Sequence, residues 1–107
     1  MVAETIKSVI QRYLQAVNAS GIHARRAILF GSYARGEAGE WSDIDLVIIA
    51  PELDDLQDRK LISKLWALRA VTDSRIEPIA CGEKEWDGPA SRPIIEIARQ
   101  EGIEIEA

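Results

Sequence analysis

A chain of 107 residues has room for one domain with a modest core, and not for a separate substrate-binding domain beside it. Thirteen basic against eighteen acidic residues leave a net charge of -5, which lacks the basic footprint of a nonspecific nucleic-acid binder. The single cysteine, Cys81, admits no internal disulfide, and no apolar leader or membrane-length run is present, so the expected location is cytoplasmic.

Ile6, Val9, Ile10, Tyr13, Leu14 and Val17 recur at helical spacing and predict an amphipathic first helix. Residues 18–21 end it, with Gly21 as a C-terminal cap. His23, the only histidine, falls in the connection to the first strand, where an exposed structural role is the ordinary one. Residues 27–30 read as a strand, 32–36 as a short second helix, 37–41 as a loop and 44–49 as a second strand closed by Pro51. Asp54 and Asp55 suit the first turn of a third helix, where the macrodipole favours acids. A charged helix start is also the ordinary reading of Asp54, Asp55 and Asp58 against a metal-ligand one. On that helix Leu61, Leu65 and Leu68 share one face, with Lys60, Lys64 and Arg69 solvated.

Residues 72–80 read as a third strand, in which Arg75, Glu77 and Ile79 share a face. Pro78 removes a backbone donor, so this strand belongs at a sheet edge or is bulged there. Cys81 reads as a small buried hydrophobe. Residues 83–88 suggest a short helical turn with Trp86 tucked inward. Ser91 resembles an N-cap, and Ile94, Ile97 and Ala98 continue at helical spacing as far as Gly102. Residues 103–106 alternate like a strand, with disorder or pairing to a partner as the alternatives.

The chemistry concentrates in residues 29–49, L-F-G-S-Y-A-R-G-E-A-G-E-W-S-D-I-D-L-V-I-I. Gly31-Ser32 ends the first strand, and Asp43 and Asp45 open the second. Strand periodicity aims both carboxylates the same way, a poor arrangement for a core and a good one for a hard divalent cation. Gly31-Ser32 is either a simple turn with a helix cap or, beside those aspartates, a phosphate site. There the glycine allows close approach, the serine adds a hydroxyl, and the helix start offers N–H groups. Arg35 either meets phosphate oxygens or braces the loop through a nearby carboxylate. Trp41 either packs under the loop or offers a stacking platform. Ser42 can hydrogen-bond the loop backbone and fix the approach of Asp43.

The ordered combination, Gly31-Ser32-Tyr33-Ala34-Arg35-Gly36 followed by Ser42-Asp43-Ile44-Asp45-Leu46, resembles the minimal nucleotidyltransferases of the polymerase-beta-like superfamily. Many of these are antitoxins that partner HEPN-domain toxins. The resemblance implies an α/β fold, a small mixed sheet of about three strands flanked by helices, in one domain over residues 1–107. The first two strands would run antiparallel and the third would follow its helix as a right-handed crossover.

It also implies a nucleoside triphosphate, ATP among them, bound at Gly31, Ser32 and Arg35, with Mg²⁺ held by Asp43 and Asp45. A third carboxylate is expected on a later strand, and Glu77 is the candidate with apolar neighbours in the right place. Many relatives carry aspartate there, so Glu77 departs from the pattern by one methylene. It would serve as general base and metal ligand, or else pair with Arg75 or Arg69 at the sheet edge. The expected product is a nucleotidylated hydroxyl, with a HEPN toxin as the implied partner. Two other readings stand beside it: a degenerate module that silences a toxin by covering it, and a small-molecule enzyme completed by oligomerisation.

Overall fold

The computed structural model describes residues 3–55, 58–89 and 92–107. In chain order the elements are α1 (Glu4–Ala19), β1 (Arg26–Phe30), α2 (Ser32–Arg35), β2 (Ile44–Ile49), α3 (Arg59–Ala67), β3 (Ile76–Cys81), α4 (Glu83–Asp87), α5 (Pro93–Glu101) and β4 (Ile103–Glu106). Short 3₁₀ turns, Pro51–Asp54 and Leu68–Val71, precede and follow α3.

The sheet has four strands in the order β3-β2-β1-β4, one more than the sequence suggests. β1 runs antiparallel to β2, from Arg26 opposite Ile49 to Phe30 opposite Asp45. β2 runs parallel to β3, from Ile44 opposite Ile76 to Ile49 opposite Cys81. The terminal alternation, which reads as a strand with disorder or pairing to a partner as alternatives, is a strand, β4, and its neighbour is β1 of the same chain. Its reason is local. Ile105 is buried, Arg26 and Glu104 pair at 2.9 Å, and Gly102 lets α5 turn directly into the strand. A Cβ at Gly102 would lie 2.2 Å from both the Ala98 carbonyl oxygen and Ile28 Cγ2.

Both faces of the sheet are covered, which is why the inner strands β1 and β2 read as nearly continuous apolar runs. On one face Ile10, Tyr13, Leu14 and Val17 of α1 and Leu65 of α3 pack on Ala27, Leu29, Leu46, Ile48 and Ile76. On the other, Ile95 and Ala98 of α5, with Trp86 of α4, pack on Ile28, Phe30, Val47, Ile49 and Cys81. Truncating a buried leucine here, such as Leu46, removes about 2–5 kcal/mol through lost transfer energy and the cavity left behind. Cys81 is buried, as expected, and burial pushes its thiol up to about 12.

Several boundaries shift for identifiable reasons. α3 starts at Arg59 instead of Asp54, because the Asp58 carboxylate caps it by accepting from the Lys60 N–H at 3.0 Å. Asp54 caps a different helix: it accepts from the Lys84 N–H of α4 at 3.0 Å. Arg69, expected to be solvated, is half-buried; it donates to the Ser74 carbonyl at 2.6 Å and stacks 4.8 Å from the centre of the Trp66 ring. β3 starts at Ile76, with Pro78 on an edge strand as the missing donor requires. In α5 the expected Ile94 and Ala98 do pack on the core, but Ile95 joins them as the fully buried position and Ile97 is exposed. The expected Ser91 cap lies outside the described residues. Among those residues no helix is long and apolar enough to cross a membrane.

Candidate functional site

β1 ends at Phe30, and Gly31 turns the chain with φ 75° and ψ -151° into the single turn of α2. The Gly31 carbonyl accepts from the N–H groups of Ala34 and Arg35, both at 3.1 Å, and Gly36 closes the turn in the left-handed region. A Cβ at Gly31 would fall 2.3 Å from Asp45 Oδ2. The glycine therefore lets the first strand's turn and the second strand's carboxylate touch.

The strand register sets a row. Phe30 lies opposite Asp45, and Asp45 lies opposite Glu77. On each strand the residues that follow at period two, Val47 and Ile49, or Ile79 and Cys81, pack against the α5 side, so this row opens on that side at the end of the sheet. Asp43 is exposed, one residue before β2. Ser42 does what the sequence suggests, its hydroxyl accepting from the Gly39 N–H at 2.8 Å and tying the loop before Asp43.

The charges of Asp43, Asp45 and Glu77 act on one another. Glu77 is raised above the ordinary carboxylate range, first by burial and then by the negative charges of Asp43 and Asp45. Asp45 is raised as well, mainly by burial, with Asp43 adding to the rise and a hydrogen bond from Glu77 opposing it. Glu77 does not pair with either arginine considered for it. Arg75 instead binds Asp73 at 2.8 Å and the Tyr33 hydroxyl at 3.1 Å.

Among the described residues no three His, Cys, Asp or Glu side chains stand in ready ligation geometry. Carboxylates raised by burial and by one another's charge are hard oxygen donors, with Arg35 as the cation that acts on Asp45, and their chemistry fits Mg²⁺.

Of the residues expected at the phosphate turn, Gly31 and Ser32 lie beside the carboxylates, and Arg35 takes the bracing role. Arg35 pairs with Glu101 at 3.2 Å and with Glu37 at 3.4 Å. Glu101, which the sequence pattern does not flag, also accepts from the Gly31 N–H at 3.0 Å. One signal for it exists: Glu101 is an acid in a helix's last turn, where the macrodipole disfavours it, so it needs a partner. Trp41 does not pack under the loop; it is 86% exposed. His23 is exposed and pairs with Glu52, away from this site. A cavity of about 450 Å³ lined by Asn18, Arg25, Arg26 and Glu106 lies at the opposite end of β1 and holds none of these groups.

Residues 10–100 match the family described as "Nucleotidyltransferase domain". The chain is 48% identical over 55 residues to "Putative protein adenylyltransferase MJ0141" of Methanocaldococcus jannaschii, covering 50% of this chain and 56% of that protein. It is 69% identical over 26 residues to MJ1305 of the same organism, similarly named, covering 24% of this chain and 18% of that protein. The match thus spans little more than half the length of MJ0141. Among solved structures, a "putative nucleotidyltransferase" from Sulfolobus solfataricus superposes with TM-score 0.60 at 18% identity, over 92% of this chain and 77% of that one. A toxin-antitoxin with AMP-PNP superposes with TM-score 0.59 at 23% identity, over 92% and 71%. These two likenesses establish the fold. The matched range, residues 10–100, includes β1, β2 and β3, and this chain belongs to the nucleotidyltransferase-domain family.

Proposed function

We propose that residues 1–107 form one nucleotidyltransferase domain that moves AMP from ATP to a hydroxyl of a partner protein, a HEPN-type toxin, with release of pyrophosphate. The observation that carries this reading is the contact between the Gly31 turn and Asp45, with Glu77 next in the row. It joins a place for phosphates to a place for a cation. Support for a protein acceptor comes from the name of the archaeal relatives, and support for an antitoxin role from the toxin-antitoxin neighbours.

In this reading Ser32 donates its hydroxyl to phosphate oxygen, and the turn before α2 orients the triphosphate. Asp43, Asp45 and Glu77 would hold Mg²⁺, which when bound would neutralise charge developing on the attacked phosphate and on the leaving pyrophosphate. Glu77 accepts the proton of the acceptor hydroxyl. Its position at the end of an edge strand leaves it reachable by a second molecule, and burial makes it a stronger base than an ordinary glutamate. A reducing cytoplasm suits the buried Cys81 thiol.

The test is incubation of the chain with labelled ATP, Mg²⁺ and a HEPN toxin, followed by mass spectrometry for an added AMP. The expected result is one AMP on a toxin hydroxyl, lost in Glu77→Gln. A chain that binds and silences the toxin while modifying nothing would overturn the enzyme reading in favour of a covering module.

A further inference from the structure

Glu101 occupies the last turn of α5, against its own helix dipole, and its side chain is only 26% exposed. Two groups from α2 and its turn compensate it. Oε1 accepts from the Gly31 N–H at 3.0 Å, and Arg35 Nη1 reaches Oε1 at 3.2 Å and Oε2 at 3.3 Å. The Gly31 amide belongs to the residue whose dihedral angles aim Ser32 and whose Cα faces the Asp45 carboxylate. One side chain, far along the sequence, therefore grips the turn that touches Asp45, and its charge is felt by that carboxylate. It also holds the guanidinium that balances the local negative charge. An ordinary brace between helices would not need the backbone of the phosphate turn as its partner.

We propose that Glu101 is a positioning residue of the nucleotide site: it clamps the Gly31 turn and Arg35 to the end of α5 and so keeps Ser32 in register with Asp45. The proposal rests on the reading of this turn as the phosphate site. Because the Gly31 amide is engaged by Glu101, phosphate contacts fall to Ser32 and to the cation that Asp43 and Asp45 would hold.

The substitutions separate the two halves of the clamp. Glu101→Ala removes both, Glu101→Gln keeps an oxygen for the Gly31 N–H but loses the charge pairing, and Arg35→Ala loses the pairing alone. Each full-length variant is titrated with Mg–ATP by calorimetry, assayed for transfer, and melted. Glu101→Ala should weaken Mg–ATP binding about 10–100-fold, with the change carried by KM more than kcat. Glu101→Gln should fall between it and wild type, and adding Arg35→Ala to Glu101→Ala should cost little more.

A merely structural tie would lower Tm and leave the affinity of the folded protein unchanged, which overturns the proposal. If the alanine variant does not fold, Glu101→Gln decides: wild-type affinity and KM overturn it. Should wild type itself fail to bind Mg–ATP, the functional reading falls and this proposal with it. Wild-type binding with unaffected Glu101 variants sinks the proposal alone.

Discussion

Two glycines with positive φ flank α2, and comparing them isolates the contact on which the site depends. Gly36 sits in the left-handed region at φ 73° and ψ 22°, and a Cβ added there would meet nothing within 4 Å. Gly36→Ala should therefore cost only the backbone penalty, about 1–2 kcal/mol. Gly31, at φ 75° and ψ -151°, lies in a region almost confined to glycine, worth about 1–3 kcal/mol of strain for any other residue. Its Cβ would also lie 2.3 Å from Asp45 Oδ2 and 3.2 Å from Asp45 Cγ, so the carboxylate must leave its place. An off-rotamer aspartate adds about 0.5–1.5 kcal/mol. The sum for Gly31→Ala is roughly 2–4 kcal/mol, or a Tm lower by about 8–16 °C in a domain of this size, against about 4–8 °C for Gly36→Ala. Thermal melts by circular dichroism measure both. A double-mutant cycle with Asp45→Ala tests the cause: removing the carboxylate should recover the steric part and leave the backbone part. Equal losses at Gly31 and Gly36, or a strictly additive cycle, would show that the turn and Asp45 do not touch.

Asp43→Asn with Asp45→Asn should abolish Mg²⁺-dependent ATP binding by calorimetry while raising the Tm of the metal-free protein. The sign follows from the raised values of Asp45 and Glu77. The contribution of these two groups to metal-free stability is fullest below the ordinary carboxylate range and is lost as pH rises through their raised folded values, so the gain on substitution should vanish in acid. Glu77→Gln should keep ATP binding but slow transfer by about 10²–10⁴-fold, and Glu77→Asp should retain much of the activity, read by labelled-AMP incorporation. Cys81, with its thiol pushed up to about 12 by burial, should resist alkylation at pH 8 in the native protein and react once unfolded.

The parts of this protein that are legible in its sequence are those fixed by neighbours along the chain. The period of Ile6, Val9, Ile10, Tyr13, Leu14 and Val17 announces α1, and every one of these residues is buried. The apolar run after Asp43 marks β2 with its bounds intact. Gly31-Ser32 and Asp43-Ile44-Asp45 are recognisable because the turn and the strand that carry them are local. Glu77 can be placed beside Asp45 only through the expected parallel strand, and the register puts the two opposite each other.

What cannot be read along the chain depends on distant partners. Asp54 resembles the start of its own helix but caps α4, thirty residues on, and the alternation at Ile103 and Ile105 does not announce β1 as its neighbour. The size of Trp41 suggests an interior place, yet the loop leaves it in solvent, an outcome that hydrophobicity alone does not decide. Glu101 lies 70 residues from Gly31, and no local motif links them.

The strand order has a consequence for how the protein meets other chains. With β1 and β2 inside the sheet, its two free borders are β3 and β4. The first is interrupted by Pro78, which cannot donate to an incoming backbone, and the second is a short strand carrying exposed Glu104 and Glu106. Neither border is a good template for another strand, so stacking of copies into fibrils is disfavoured at both ends of the sheet. On the proposed function, a protein acceptor would therefore be gripped by side chains and not by extension of the sheet.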